Sequence, residues 1–298
     1  MPGDDLHAPS DVPSGVPSDV PFDVEAMLAL AESAAREAGD LIRAEEALRD
    51  QARPTVDATK SSPTDVVTAT DRAVESLLRG RIAKERPGDG LLGEEDGQQP
   101  GSSRVTWVLD PIDGTVNFLY RLPVYAVSVA AVAGDPRVEG RWRPLAGCVH
   151  NPVTGETWTA AAGAGAWLDG RRLRLPPPPD LDKALVGTGF GYRAERRRAQ
   201  AEVLADVLPR VRDIRRYGSA SIDLCMVAVG QMDAYYETGL HVWDLAAAAL
   251  VVTEAGGVIR GLGERPPGSA MVVAAGPGLV DDLADLLSEV GAERVDDT

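Results

Sequence analysis

The chain predicts an α+β fold of stacked layers, with helices packed on mostly antiparallel sheet. Three observations carry that prediction. Apolar stretches of strand spacing and of helical spacing alternate along both halves of the chain. Gly- and Pro-rich turns separate successive strands at hairpin-like distances. At 298 residues the chain is long for one core, so one large domain or two tightly joined halves is expected.

The elements follow in order. Residues 1–22 carry Pro2, Pro9, Pro13, Pro17 and Pro21 among Asp and Ser, and lack the basic start and apolar run of a signal peptide. They are read as a disordered acidic tail. From Asp23 to Asp50 the positions Val24, Met27, Leu28, Ala31, Ala34, Ala35, Ala38, Leu41 and Ile42 keep helical spacing. Thr64 to Leu78 begins as an alternating segment and turns helical after Thr70-Asp71. Leu91 to Glu95 is a short strand ending in acids, after the turn Pro87 to Gly90. Val105, Trp107 and Leu109 mark another strand, which Pro111 is expected to stop with a turn. Tyr125 to Ala133, Leu145 to His150 and Thr157 to Ala162 follow as strands, with a turn and a short strand beyond Gly163.

Pro176 to Pro179 fits neither helix nor central strand and divides an N-terminal half (23–175) from a C-terminal half (176–298). In the second half Ala184 to Gly189, Ala234 to Glu237 and Met271 to Ala275 are expected strands. Ala194 to Leu208, Ser219 to Val229, Asp244 to Glu254 and Leu279 to Val290 are expected helices, the third stopped by Gly256-Gly257.

Composition narrows the function. A formal net charge of −16 argues against a nucleic-acid surface, which needs clustered Lys and Arg. It leaves phosphate substrates open, because bound cations invert the local sign. Cys148 and Cys225 form neither a zinc pattern nor a disulfide framework, which fits a reducing, cytoplasmic setting. No apolar run approaches the roughly 18 to 20 residues that span a bilayer. Arg196-Arg197-Arg198 reads as a solvated helix face, His241 as a surface or packing residue, and Trp107 and Trp243 as core aromatics.

The most informative stretch is Trp107 to Asn117, W-V-L-D-P-I-D-G-T-V-N. It places Asp110 and Asp113 at a strand end, where bunched carboxylates repel unless a hard cation lies between them; oxygen ligands suit Mg²⁺. Gly114 lets backbone approach a ligand, and the Gly114 and Thr115 amides are then free to face an anion. The same residues also make an ordinary turn composition. Other acids raise the count: Glu94 and Glu95 end a strand, Asp244 opens an apolar helix, and Asp71 precedes a helix. Asp71 and Asp244 each fit a cap equally well.

In combination these blocks resemble the inositol monophosphatase family of metal-dependent, lithium-sensitive phosphatases. The resemblance rests on Lys60 to Asp71, Gly93-Glu94-Glu95, Trp107 to Asn117, Gly218 to Cys225 with Asp233 to Glu237, and Trp243 to Ala247 continuing through Glu254 to Gly257. It covers about residues 23 to 292. It implies a layered α-β-α-β-α sandwich of the inositol monophosphatase, or carbohydrate phosphatase, type. It also implies that about two or three Mg²⁺ ions are held by Glu94, Asp110, Asp113, Asp244 and the Ile112 carbonyl.

By the same resemblance Thr115 orients the attacking water with Asp71 as its hydrogen-bonded partner, and Glu95 is an outer-metal carboxylate serving catalysis. Substrate contacts fall to Glu94, Ile112, Asp113, Gly114, Thr115, Gly218, Ser219, Ala220, Glu237 and Asp244, with Glu237 contacting the hydroxyls of a phosphorylated polyol. The favoured substrate is myo-inositol 1-phosphate. Histidinol phosphate, fructose 1,6-bisphosphate, NADP and 3′-phosphoadenosine 5′-phosphate share the same metal core as alternatives. A regulatory, RNA-polymerase-associated binding protein that retains the fold is the alternative of another class. No nucleic-acid or membrane partner is expected. Dimers are common among proteins resembling this one, so a homodimer is an expectation.

Three departures bear on specificity. Phe118-Leu119-Tyr120-Arg121 replaces the family's usual residues after Asn117, Gly189 to Arg193 occupies a substrate-contact loop, and the segment between Gly257 and Met271 is short.

Overall fold

In the computed structural model the described residues are 22–48, 58–59 and 66–295. The expected tail up to Pro21 and the Lys60 to Asp65 part of the first motif lie outside them.

In chain order the first half comprises α1 (Val24–Leu48), β1 (Ala58–Thr59), β2 (Val66–Val67), α2 (Ala69–Glu85), β3 (Gly90–Gly93), β4 (Gly97–Gln99) and β5 (Val105–Asp113). A short α3 (Thr115–Tyr120) leads to β6 (Ala126–Gly134), β7 (Trp142–His150), β8 (Thr157–Ala161), β9 (Gly165–Leu168) and β10 (Arg171–Arg172). The second half comprises β11 (Leu185–Thr188), α4 (Ala194–Val207), β12 (Asp213–Arg215), α5 (Ala220–Ala228) and β13 (Ala234–Glu237). It closes with α6 (Val242–Glu254), β14 (Val258–Arg260), β15 (Val272–Ala275) and α7 (Leu279–Glu289).

Among the described residues, two large sheets organise these elements, beside a small antiparallel β1–β2 pair. The larger runs β10-β9-β8-β7-β6-β5-β3-β4 and is antiparallel except for the β3–β5 pair. The smaller runs β12-β11-β13-β15-β14, with β11 parallel to both of its neighbours. Its β12 and β14 were not expected from sequence, being three-residue segments without period-2 apolar alternation.

Burial divides the molecule into layers. Met27, Ala31, Ala34, Ala38 and Ile42 on α1 pack with Val74, Leu78 and Ile82 of α2 against Trp107, Leu109, Val127 and Val129 of the large sheet. The opposite face of that sheet, through Val108, Ala130 and Trp158, meets α5 and α6. These two helices read apolar all round because sheet lies on either side of them; Leu245 to Val252 are all buried. Beyond the small sheet, Val203 and Val207 of α4 and Leu283, Leu286 and Leu287 of α7 close the last layer. The result is the α-β-α-β-α sandwich. Close approach of α1 to the large sheet depends on Gly39, where a Cβ would come within 2.6 Å of the His150 ring.

One expectation needs correction. Pro111 does not stop its strand: β5 runs through it to Asp113, and the register against β6 shifts between Asp110 and Asp113. A bulge tolerates a residue without an N–H and re-aims the side chains around it.

Candidate active site

The shift in β5 brings Asp110 and Asp113 beside Asp244 at the start of α6. Each of the three carboxylates offers an oxygen lying within 4.8 Å of the others. They line a cavity of about 490 Å³ together with Glu94, Ile112, Gly114, Thr115, Gly218, Ser219, Ala220 and Glu237. Glu94 follows β3, where its N–H donates to the Leu109 carbonyl at 3.2 Å and ties it to the strand carrying Asp110.

Electrostatics mark the cluster as under-neutralised. Burial, then the nearby Asp113 and Glu94 carboxylates, hold Asp244 well above its ordinary range, against one bond from the His241 N–H at 2.7 Å. Asp113 is raised as well, since burial outweighs four hydrogen bonds. Those bonds come from the start of α5: the Ser219 hydroxyl at 2.7 Å, the Ser221 N–H at 2.7 Å, the Ala220 N–H at 3.3 Å and the Ser221 hydroxyl. Oxygen donors at this spacing, carrying excess negative charge, fit a hard divalent cation.

Thr115 opens α3 directly after Gly114, whose φ of 95° places it in the left-handed region that glycine favours. A Cβ there would lie 3.0 Å from the Gly218 carbonyl, so the two loops touch through this position. Asn117 clasps the same junction, donating to the carbonyls of Val124 at 2.6 Å and Tyr217 at 2.8 Å.

The Thr115 hydroxyl lies 3.2 Å from one Asp71 oxygen and 3.1 Å from the Ile112 carbonyl. The other Asp71 oxygen accepts the Thr68 N–H at 2.8 Å and the Thr68 hydroxyl, forming a capping box at the start of α2. The choice between helix cap and site partner is therefore resolved as both. Asp71 is fully buried and reaches the cavity through Thr115.

Glu95 is half-buried and is not among the residues lining the cavity. Its N–H donates at 2.8 Å to Glu75, a buried carboxylate that also takes the Asp96 N–H at 3.0 Å and pairs with Arg79 at 2.7 Å. Glu75 thus holds the Glu94-Glu95 turn. Sequence reasoning missed it; the only available signal was an ordinary Glu–Arg spacing of four on a helix.

Glu237 ends β13 inside the cavity. Desolvation raises its carboxyl to about 7, while the Tyr235 hydroxyl that donates to it and the Arg216 charge pull the other way. A Cβ at Gly189 would come within 2.0 Å of that carboxylate.

Two surface or core expectations change, for Arg196 and Trp243, while His241 is exposed as expected. Arg196 lines the cavity, while Arg197 and Arg198 are exposed. His241 and Trp243 also line it, their rings stacked with centroids 4.7 Å apart, because they are the N-cap and first-turn residues of α6, the helix that presents Asp244. Trp107 is core as expected, its Nε1 donating to Asp89 at 3.0 Å.

Comparison with known proteins agrees with this geometry. The inositol monophosphatase family model matches residues 23–291. The chain is 49% identical over 249 residues to an inositol-1-monophosphatase of Mycobacterium bovis, covering 80% of this chain and 83% of that one. It is 37% identical over 273 residues to the Nus factor SuhB of Escherichia coli, covering 88% and 98%. Among solved structures, Mycobacterium tuberculosis SuhB superposes with a TM-score of 0.75 at 43% identity, over 92% of this chain and all of that one (100%). The inositol monophosphatase of Anabaena gives 0.77 at 27% identity, over 91% and 98%. With matched sequence, layers and carboxylate cluster, the chain belongs to the inositol monophosphatase family and is a phosphoric monoester hydrolase.

Proposed function

We propose that the enzyme hydrolyses the phosphate monoester of a polyol in a Mg²⁺-dependent reaction, with myo-inositol 1-phosphate as the favoured substrate. The observation that carries this reading is the convergence of Asp110, Asp113 and Asp244 beside the Thr115–Asp71 pair. Glu94, Asp110, Asp113, Asp244 and the Ile112 carbonyl would hold the metal. When bound there, divalent cations supply Lewis-acid charge to the phosphoryl oxygens and acidify a water.

The chain's own residues do the rest. Gly114 and Thr115, with Gly218, Ser219 and Ala220 at the start of α5, offer backbone amides to the phosphate. Thr115 spends its proton on Asp71 or on the Ile112 carbonyl. That leaves the Oγ lone pairs to accept a hydrogen bond from the attacking water and so to aim it. Asp71 is held by Thr68 and stays a pure acceptor when ionised. Glu237 accepts from substrate hydroxyls, and Tyr235 fixes its orientation. Glu95 acts at the rim of the acidic turn that Glu75 supports. The relatives named as inositol-1-monophosphatases support the choice of substrate.

The test is phosphate release from myo-inositol 1-phosphate, histidinol phosphate, fructose 1,6-bisphosphate, NADP and 3′-phosphoadenosine 5′-phosphate, with and without Mg²⁺. Highest kcat/KM on inositol 1-phosphate, lost without metal, is expected. Turnover confined to one of the others would reassign the substrate.

A further inference from the structure

The anomalous residue of α4 is Gln200. The inward face of this helix carries Gln200, Val203 and Val207, and the glutamine is buried along with the valines. A buried side-chain amide costs the fold unless both of its ends are bonded. Both are: Oε1 accepts the Gly191 N–H at 2.9 Å, and Nε2 donates to the Thr238 hydroxyl at 2.9 Å. The orientation follows from chemistry, since a backbone N–H only donates and the amide oxygen must therefore face Gly191.

These two partners belong to segments that diverge. β11 and β13 are parallel neighbours whose pairing ends at Thr188 and Tyr236. Beyond that point one strand enters the 189–193 loop and the other the 238–241 turn, and both segments line the cavity. No ladder holds them at strand spacing past the last pair; the Gln200 amide spans them instead. The turn has its own anchor, because the Gly239 N–H donates to the Ser269 carbonyl at 2.6 Å. Ser269 in turn donates from its N–H and its hydroxyl to Glu139, each at 2.7 Å. Gln200 thus hangs a loop on a turn that is already fixed.

Glu237 lies where the two segments part. A Cβ at Gly189 would come within 2.0 Å of its carboxylate, so that carboxylate rests on the first residue of the loop, two residues before the one that Gln200 holds. Gln200 itself is not among the residues lining the cavity, so it acts through the segments it joins. Because the turn keeps its Ser269 anchor, loss of the bridge frees the loop and leaves Asp244, which accepts the His241 N–H, in place.

Resting on the polyol phosphatase reading above, we propose that Gln200 is a positioning residue for substrate specificity. By fixing the distance between the 189–193 loop and the 238–241 turn, its amide holds the Gly189 backbone against Glu237 and sets the width of the cavity that receives the polyol.

The test is the ratio of kcat/KM on myo-inositol 1-phosphate to kcat/KM on p-nitrophenyl phosphate, which carries no polyol, measured on the full chain with Mg²⁺. Gln200→Met keeps an unbranched side chain and removes both hydrogen bonds. It is expected to lower the ratio by about tenfold, through KM for the inositol ester, as loss of buried hydrogen bonds does in a site shaped for hydroxyls. Thr238→Val cuts the same bridge at its other end, so it should lower the ratio too, and the double variant should be no worse than Gln200→Met alone. The ratio is independent of the folded fraction, so a destabilised variant still reports. Amide exchange followed by mass spectrometry should be faster across 189–193 in Gln200→Met than in wild type. An unchanged ratio, equal losses on both substrates, additive losses in the double variant or unaltered exchange across 189–193 would overturn the positioning role. Absence of Mg²⁺-dependent release from the inositol ester by the wild type, with exchange still faster in Gln200→Met, would overturn the substrate reading instead.

Discussion

The Asp113 carboxylate accepts the Ser221 N–H at 2.7 Å, so one side chain of the acidic cluster also caps the start of α5. The proposed cation site and the proposed phosphate-facing loop thereby share one side chain. Asp113→Asn is expected to abolish turnover while stabilising the metal-free protein near neutral pH, because burial raises this carboxyl and its charge therefore costs the fold. Ser221→Ala, which removes a donor to that charge, should destabilise the metal-free protein and retain activity. Thermal unfolding in chelator checks both; an Asp113→Asn protein less stable than wild type would make helix capping the larger contribution.

Exhaustive chelation should remove phosphatase activity and added Mg²⁺ should restore it, with Li⁺ and excess Ca²⁺ inhibitory. The carboxylate oxygens of Asp110, Asp113 and Asp244 within 4.8 Å motivate this, since a phosphate dianion would be repelled by them alone. Full activity in chelator rules out the assignment.

Thr115→Ala is expected to lower kcat by about 10²–10³-fold with little change in KM, because the hydroxyl aims water in the transition state instead of anchoring substrate. Steady-state kinetics on inositol 1-phosphate decides it. A raised KM at constant kcat would make Thr115 a substrate anchor.

Glu237→Gln keeps size and removes charge. Hydrolysis of inositol 1-phosphate should fall by about tenfold or more, and that of p-nitrophenyl phosphate, which has no polyol, much less. Equal losses would place Glu237 in support of the metal cluster. Activity intact on both would make histidinol phosphate the next substrate to examine.

Burial lowers the His150 imidazole to about 4, helped by the Arg36 and Arg43 charges. The unfolded chain, titrating near 6.5, then binds the proton more readily. Stability is fully present above pH 6.5 and is lost as pH falls toward 4, by at most about 3 kcal/mol. Glu237, raised to about 7, has the opposite sign: its stability contribution falls as pH rises from 4.5 to 7. Denaturant unfolding between pH 4 and 7 should show a flatter acid limb in His150→Asn than in wild type. Identical limbs would assign the acid loss to carboxylates instead.

The sequence by itself determined the chemistry that is local in the chain. Asp110, Asp113, Gly114 and Thr115 lie within six positions, so a strand, a bulge and a helix start carry them to one place. The helices from Val24 and Leu279 were legible because amphipathic spacing records a single buried face. Asp71 and Asp244 were legible as acids at helix starts, and only the resemblance joined them to the site. Tertiary structure decided whatever depends on partners distant in sequence. Glu75 holds the Glu95 turn from twenty residues away, and Ser221 reaches Asp113 across 108. Arg196, on an apparently solvated helix, turns into the cavity because Gly239, far along the chain, leaves room for it. Pro111 continues its strand because β6 accepts a register shift that no local rule anticipates. Periodicity encodes which face of an element is buried; which element meets that face, and what charge it brings, is settled only when the layers pack.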